Sequence, residues 1–390
     1  MKILITTDLF TTATNGVVTS VKNLWDVLKK KGHDVRILTL SEKSHSYREG
    51  KVYYIRSASF PIYPDVRMPL SLHHRLIKDL IDWKPDVIHS QCEFFTYFFA
   101  TYVARHTGAP IVHTFHTMYE QYVGYVIPYE KFGRAAVRVA MKKRLQSAKC
   151  VIAPTGKVKD TLKSYGVRPP IAIIPSGISL DQHKLRITPE ERREKRRALG
   201  IADDEFVLVN LGRLGTEKNL DELIRFYARS HKKHPKLRFL IVGGGPAREE
   251  LEAQAQELGV AGRVIFAGMV NPAEVQKYYQ LGDLFVSAST SETQGLTYIE
   301  ASANGLPLLC RRDPCLDEIL LEGDNGYTYV NYADFAKKLD FILSDGEWRE
   351  KAARRSEVIS ARFDKVNFGN AVEKLYRIVI KSKKRRKISK

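Results

Sequence analysis

The chain contains, at residues 284–300, the run Leu284-Phe-Val-Ser-Ala-Ser-Thr-Ser-Glu292-Thr-Gln-Gly295-Leu-Thr-Tyr-Ile-Glu300. Its first four residues are apolar enough to form a buried strand. Residues 297–304 are typical of a helix, which Gly305 would end, and Thr290 and Ser291 are candidate caps at its start. A strand that passes through a glycine-containing loop into a helix is typical of α/β folds with parallel sheets.

Two carboxylates, Glu292 and Glu300, lie eight residues apart in this run. If the segment is helical from Glu292 onward, they are separated by roughly 12 Å along one axis. That is about the distance from the sugar to the ribose of a nucleotide-sugar. Backbone N–H groups near Gly295 and Leu296 would favour an anion such as a diphosphate. The alternative is an amphipathic helix with two solvated glutamates.

A second motif, Asn210-Leu-Gly212-Arg213-Leu-Gly215-Thr-Glu-Lys218-Asn219, follows the apolar run 206–210. Gly212 and Gly215 allow a sharp turn beside a ligand. Arg213 offers a planar fork for phosphate oxygens and Lys218 a compact positive charge. Two fixed cations would stabilise a leaving diphosphate without a metal. Taken alone, the motif also fits an exposed basic loop between a strand and a helix.

Together the two motifs resemble those of the retaining glycosyltransferases of family 4, which have the GT-B fold. Further resemblance lies in the Asn15-Gly16 loop and in His113-Thr-Phe-His116, so it covers nearly the whole chain. The resemblance is strongest to the bacterial diacylglycerol glucosyltransferases, which make membrane glycolipids. The stretches that indicate this branch are residues 62–65, 89–94, 116–120 and 290–301. Many family members have Phe-Gly where this chain has Gln294-Gly295.

The resemblance implies transfer of a hexose, with glucose from UDP-glucose as the first candidate, to the hydroxyl of diacylglycerol with the α configuration retained. Glu292 would bind sugar hydroxyls and Glu300 the ribose, while Arg213 and Lys218 would stabilise the diphosphate. His116 would line the sugar site, although a core histidine near a strand end is the alternative. The implied donor-binding set is completed by Gly16, Gly295, Leu296 and Thr297.

No residue stands out as a covalent nucleophile, and in this family the leaving phosphate is thought to accept the proton of the acceptor. Catalysis would then depend on positioning and electrostatics. We expect no cofactor and no metal, because the sequence has no convincing ligand set and no Asp-x-Asp motif. Asp8, Glu93 and Glu120 follow first-domain strands, where acceptor contacts are expected, but caps or surface carboxylates explain them equally well.

Apolar runs alternate with helical segments along most of the chain, which predicts two doubly wound α/β domains. The predicted division is an N-terminal, acceptor- and membrane-facing domain at 1–177, a nucleotide-sugar domain at 178–365, and a crossover helix with a basic tail at 366–390. The GT-B resemblance implies that the domains face each other across a cleft and that the last helix returns to the first domain.

Composition agrees with a globular enzyme of two domains. The chain has 390 residues, of which 44% are hydrophobic and 27% charged. It has no apolar run of about twenty residues and no signal-peptide pattern. Its four cysteines show no metal-binding spacing and are typical of reduced thiols. These features favour a cytoplasmic protein.

The net charge of +19 is unevenly distributed. Residues 1–175 carry a net charge of +13, residues 176–380 carry −1, and the last ten residues carry +7. Within the first region, helical spacing over 129–145 predicts a basic stripe beside apolar residues. The segment 68–83 is similarly mixed. Both are typical of helices that contact anionic lipid, or of helices that cover their own core. The basic residues of the stripe are Lys131, Arg134, Arg138 and Lys142.

These patterns predict a peripheral protein on the inner face of the cell membrane, whose partners are a UDP-hexose, diacylglycerol or a glycolipid, and an anionic membrane surface. Several alternatives stay open at this point. The donor may carry galactose, the acceptor may already carry one sugar, or the product may be a polysaccharide or cell-wall polymer. A protein that binds nucleic acid through its basic residues is the alternative of a different class, but no nucleic-acid motif supports it.

Overall fold

The computed structural model describes residues 1–10, 16–60, 63–71, 74–121 and 130–388. Within these ranges the side chains of residues 60, 63–66, 121, 130 and 383–388 are not described. Asn15 and Ile62, which contributed to the family resemblance, lie outside the described residues. The chain divides into two compact units, residues 1–177 with 365–390 and residues 178–364.

Within the described residues, the first unit contains a nine-stranded sheet with the order β3-β4-β2-β1-β6-β7-β8-β9, and β5 pairs with β4. β3 and β5 are antiparallel to β4, and the other pairs are parallel. The strands are β1 (Lys2–Thr6), β2 (Asp34–Ser41), β3 (Tyr47–Glu49), β4 (Val52–Phe60), β5 (Tyr63–Pro69), β6 (Val87–Ser90), β7 (Ile111–Thr114), β8 (Cys150–Ala153) and β9 (Ile171–Ile173).

Helices cover both faces of this sheet. They are α1 (Gly16–Lys30), α2 (Arg75–Trp83), α3 (Phe95–Thr107), α4 (Glu130–Leu145), α5 (Gly156–Ser164) and, from the end of the chain, α14 (Lys365–Ile388). The pleat of β1 directs Ile3 and Ile5 toward α1 and α14, and Leu4 toward the opposite core. Each fully buried aliphatic side chain contributes about 1.5–3 kcal/mol.

The second unit has a six-stranded parallel sheet with the order β12-β11-β10-β13-β14-β15 among the described residues. Its strands are β10 (Phe206–Leu211), β11 (Leu237–Val242), β12 (Val264–Gly268), β13 (Leu284–Ser287), β14 (Leu308–Arg311) and β15 (Gly326–Tyr329). Its helices are α6 (Leu180–His183), α7 (Pro189–Ala198), α8 (Leu220–His231), α9 (Arg248–Glu257), α10 (Val275–Tyr279), α11 (Leu296–Ala303), α12 (Tyr332–Ser344) and α13 (Gly346–Ser360).

Both sheets contain a point where the strand order reverses. In the second unit this switch point lies between β10 and β13, which are neighbours in the sheet although two strands separate them in sequence. In the first unit it lies between β1 and β6. Ligands of doubly wound folds bind outside the carboxyl ends of strands at such a switch point. The loops that leave these four strands are therefore the first places to look for a site.

The predicted alternation of strands and helices is confirmed, with two local corrections. The segment 68–83 is not one helix, because β5 continues to Pro69 and α2 begins at Arg75. The residues of α2 that were candidates for a lipid surface, Leu80 and Trp83, are buried in the core of the first unit. Helix α2 thus covers its own domain.

Candidate active site

In the second unit, the loop that follows β10 and the loop that follows β13 lie side by side. The hydroxyl of Ser291 donates to the backbone carbonyl of Glu217 (3.1 Å), and the amide of Asn219 donates to the carbonyl of Ala288 (3.1 Å). Asn219 itself adopts a left-handed conformation (φ 52°) and begins α8. These bonds join the two sequence motifs, which are about 75 residues apart, into one surface.

The four charged residues of this surface form two ion pairs. Arg213 binds Glu217 at 2.7 Å, and the ammonium of Lys218 lies 2.5 Å from Oε1 of Glu292. The hydroxyl of Ser289 also donates to Oε1 of Glu292 (3.2 Å). Glu217 is buried, whereas the Arg213 side chain is exposed. Sequence analysis identified Arg213, Lys218 and Glu292 but not the part that Glu217 plays in orienting Arg213.

Helix α11 begins at Leu296, not at Glu292 as the 12 Å estimate assumed. Residues 292–295 form a bend, so helical spacing applies only to the second carboxylate. Gly295 has φ 72°, and a Cβ atom there would lie 2.4 Å from the ring of Tyr298. Thr290 and Ser291 do not cap the helix. Among the described residues no side chain caps α11, and a helix start of this kind suits an anion.

Glu300 lies one turn into α11, and its carboxylate accepts a hydrogen bond from the hydroxyl of Tyr279 (2.8 Å). Burial raises the pKa of Glu300 to about 7. Tyr279 is buried and packs edge-on against His183, whose pKa burial lowers to about 4. Sequence analysis predicted Glu300 as a ligand-binding residue but missed Tyr279, which lies on α10 and approaches only through folding.

A third loop, Gly243-Gly-Gly245, follows β11 and packs against the loop after β10. The amide of Leu214 donates to the carbonyl of Gly244 (2.9 Å). A Cβ atom on Gly243 would lie 1.9 Å from the carbonyl oxygen of Gly212. Only glycine fits there, because φ is also 137°. Three glycines after an apolar strand were a visible signal that the sequence analysis did not use.

In the first unit, the side chains near the switch point form a buried polar cluster. His116 follows β7, and its Nε2 lies 2.7 Å from Oε1 of Gln91, which follows β6. Burial lowers the pKa of His116 to about 3, so its ring is neutral. Gly16 is the first residue of α1 and is exposed.

The three carboxylates that were possible acceptor contacts have partners within the first unit. Asp8 accepts the backbone N–H of Thr96 at the start of α3 (2.7 Å). Glu93 is buried, with Oε1 3.0 Å from His113 and Oε2 2.5 Å from the hydroxyl of Tyr119. Glu120 pairs with Arg138 on α4. Capping, a buried network and an ion pair therefore explain these residues.

Helix α4 shows the predicted basic stripe. Lys131, Arg134, Arg138 and Lys142 are all exposed. Phe132 and Val139 are also exposed, by 79% and 67%, whereas Met141 and Leu145 pack into the core. The apolar residues among the basic ones thus do not cover the core of their own unit.

The described residues contain no group of three or more His, Cys, Asp or Glu side chains that could hold a metal ion. Within the same ranges, no helix is both long and apolar enough to cross a bilayer.

Comparison with known proteins places these two units in a family. Residues 14–182 match the family described as Glycosyltransferase Family 4, and residues 191–358 match Glycosyl transferases group 1. The chain is 33% identical over 380 residues to the alpha-monoglucosyldiacylglycerol synthase of Streptococcus pneumoniae, covering 96% of this chain and 85% of that protein. It is 32% identical to the synthase of the same name from Acholeplasma laidlawii, covering 96% of both chains.

A solved structure shows the same fold. The Anabaena protein HepE, in complex with UDP-glucose, superposes with a TM-score of 0.75 at 20% identity, covering 96% of this chain and 99% of that one. With two doubly wound units, matches to both family descriptions, and relatives above 30% identity over nearly its whole length, the chain belongs to the family 4 glycosyltransferases of GT-B fold.

Proposed function

We propose that the enzyme transfers a hexose, glucose in the first instance, from a UDP-sugar to diacylglycerol and retains the α configuration. The observation that carries the donor half is the surface formed by the loops after β10 and β13. It places two cations, Arg213 and Lys218, beside the uncapped start of α11. The lipid half is supported by the two relatives whose names specify alpha-monoglucosyldiacylglycerol synthesis.

In this proposal the diphosphate of the donor binds at the start of α11, near Gly295, Leu296 and Thr297. Lys218 and Arg213 stabilise the negative charge that develops on the diphosphate as its bond to the anomeric carbon breaks. Glu292, held by Lys218 and Ser289, accepts hydrogen bonds from hydroxyls of the hexose. The leaving phosphate takes the proton of the acceptor, so no protein base is needed.

Glu300 binds the ribose hydroxyls as a carboxylate acceptor, and this role makes donor binding depend on pH. Its pKa of about 7 means that the acid form accumulates below neutrality. The ionised form accepts two hydrogen bonds from a diol, whereas the acid form has lost part of that capacity. We therefore expect kcat/KM for UDP-glucose to rise between about pH 6 and 8 and then level off.

The pH profile of kcat/KM checks this prediction directly. A Glu300→Gln variant should have a lower kcat/KM and a flat profile over the same range. A wild-type profile that is already flat between pH 6 and 8 would contradict the role of Glu300.

The acceptor half of the proposal requires that the enzyme reach a bilayer. Helix α4 presents four exposed basic residues, together with Phe132 and Val139, from a unit whose sequence is strongly basic. Basic residues near an anionic surface contribute about 1 kcal/mol each, screened by salt, and apolar side chains add insertion into the headgroup layer. This supports a peripheral position on the anionic, inner face of the cell membrane.

Replacement of both exposed apolar residues, Phe132→Ser with Val139→Ser, should weaken binding to vesicles that contain anionic lipid by about 10-fold or more, since each side chain loses 1 kcal/mol or more of burial. Co-sedimentation with vesicles measures the effect. Val358→Ser is the matched control, because Val358 is similarly exposed (59%) but lies on α13 in the second unit. Equal binding by the double variant and the wild type would contradict a membrane role for α4.

The function is tested by incubating the enzyme with labelled UDP-glucose or UDP-galactose and vesicles that contain diacylglycerol or monoglucosyl-diacylglycerol. Label in a monoglycosylated lipid supports the proposal. Label only in a diglycosylated lipid would favour addition of a second sugar, and label from UDP-galactose alone would change the donor. Failure with every lipid, but transfer to a soluble glycan, would favour a polysaccharide or cell-wall transferase.

A further inference from the structure

A buried chain of hydrogen bonds connects His116 to the last helix. Nε2 of His116 lies 2.7 Å from Oε1 of Gln91, and the amide nitrogen of Gln91 lies 3.2 Å from the ring nitrogens of His89. Nδ1 of His89 is 2.5 Å from the hydroxyl of Tyr376 on α14, and its Nε2 is 2.7 Å from the hydroxyl of Thr114. Gln91 and His89 are both almost completely buried.

The chemistry of the amide assigns the proton on His116. Because an amide oxygen can only accept, Nε2 of His116 carries the hydrogen and donates it to Gln91. In a neutral ring, Nδ1 is then the accepting nitrogen. The backbone N–H of Gln91 donates to the carbonyl of Thr6 on β1 (2.8 Å), so the residue is held at both its backbone and its side chain.

The surroundings keep the ring uncharged. Burial lowers the pKa of His116 to about 3 and holds the pKa of His89 well below its ordinary value, and the neighbouring His113 acts in the same direction on both. The nearby carboxylate of Glu93 is engaged by His113 and Tyr119. The partner of His116 at Nε2 is therefore a neutral amide.

We propose that Gln91 is a positioning residue for hexose transfer, holding His116 in a single tautomer and orientation so that a neutral imidazole faces the reacting sugar. The proposal rests on the proposed function, in which His116 lines the sugar site. A neutral ring matters there, because the transition state of glycosyl transfer carries positive charge on the sugar and an imidazolium would repel it.

A double-mutant cycle tests this role. Gln91→Met keeps the length of the side chain but leaves the buried N–H of His116 without its acceptor, so we expect kcat at saturating UDP-glucose to fall about 10-fold. KM for UDP-glucose should stay within about twofold, since Gln91 acts through His116. In a His116→Ala background, the same Gln91→Met change should alter kcat by less than about twofold.

Tyr227→Phe serves as the control, because it removes a buried hydrogen bond (to the carbonyl of Leu237, 2.8 Å) away from both loops and from His116, and it should leave kcat unchanged. The proposal is overturned if Gln91→Met has the wild-type kcat, or if it lowers kcat equally with and without His116. Should the wild type release glucose from UDP-glucose but form no glycolipid, the same cycle read on that hydrolysis tests Gln91 separately from the acceptor.

A second variant keeps the proposal testable if Gln91→Met does not fold. Gln91→Glu preserves the shape and places a carboxylate beside Nε2, which raises the pKa of His116. The ring then becomes charged at low pH, so kcat at saturating donor should be lowest at acidic pH and increase as the pH rises. The wild type should show no such step in kcat, and an identical profile for the two enzymes would overturn the proposal.

Discussion

Replacement of Lys218 by methionine is expected to lower kcat by about 100- to 1,000-fold, the cost of removing one preorganised group that stabilises developing negative charge. Methionine retains the unbranched apolar stem but not the ammonium, which lies 2.5 Å from Glu292. Loss of the ammonium removes both the cation beside the diphosphate and one of the groups that orient Glu292. We expect KM for UDP-glucose to change much less than kcat, because the charge develops as the bond breaks.

Steady-state transfer to diacylglycerol in vesicles measures this effect. Lys233→Met is the matched control, because Lys233 pairs with Asp340 at 2.7 Å on the surface of the same unit and has no role in either loop. The control should retain the wild-type kcat. A Lys218→Met enzyme with more than about one-fifth of the wild-type kcat would show that this lysine does not stabilise the leaving group.

The second large effect is expected from Gly243→Ala. The new Cβ atom would lie 1.9 Å from the carbonyl oxygen of Gly212, which belongs to the backbone and cannot rotate away, and alanine disfavours a φ of 137°. The loops after β10 and β11 must therefore separate. We expect a loss of at least about 2 kcal/mol in the stability of the second unit and a loss of UDP binding, since Gly212 directly precedes Arg213.

Chemical denaturation and calorimetric titration with UDP measure the two consequences. Gly262→Ala is the control for inserting a methyl group, because nothing lies within 4 Å of a Cβ atom at that position. It should leave both stability and UDP binding close to wild type. Unchanged UDP binding in Gly243→Ala would contradict the view that the loop after β11 supports the donor site.

Most strands were predictable because they are short apolar runs between helical segments, and several have the expected bounds. Three strands were missed for physical reasons. β3 consists of Tyr-Arg-Glu and pairs only at an edge of the sheet, and β15 begins with glycine and has no apolar run. β5 contains prolines at both ends, which argue against a strand in sequence but are tolerated next to a single neighbour.

The individual residues of the site were more accessible to sequence analysis than their arrangement. Lys218 and Glu292 could each be identified from a motif, but their pairing depends on β10 and β13 being neighbours. The helix start was misplaced because Gly295 is left-handed, so the carboxylate that precedes it lies in a bend. Tyr279 and Gln91 were missed, since each acts through a partner that is distant in sequence.

The central claim is transfer of hexose from a UDP-sugar to diacylglycerol with retention. The most direct measurement is to isolate the lipid product formed from UDP-glucose and diacylglycerol and to determine its mass and the coupling constant of its anomeric proton. We predict a monoglucosyl-diacylglycerol with an α linkage, absent when Lys218→Met replaces the wild type. A β-linked product, or free glucose and UDP with no glycolipid, would contradict the account.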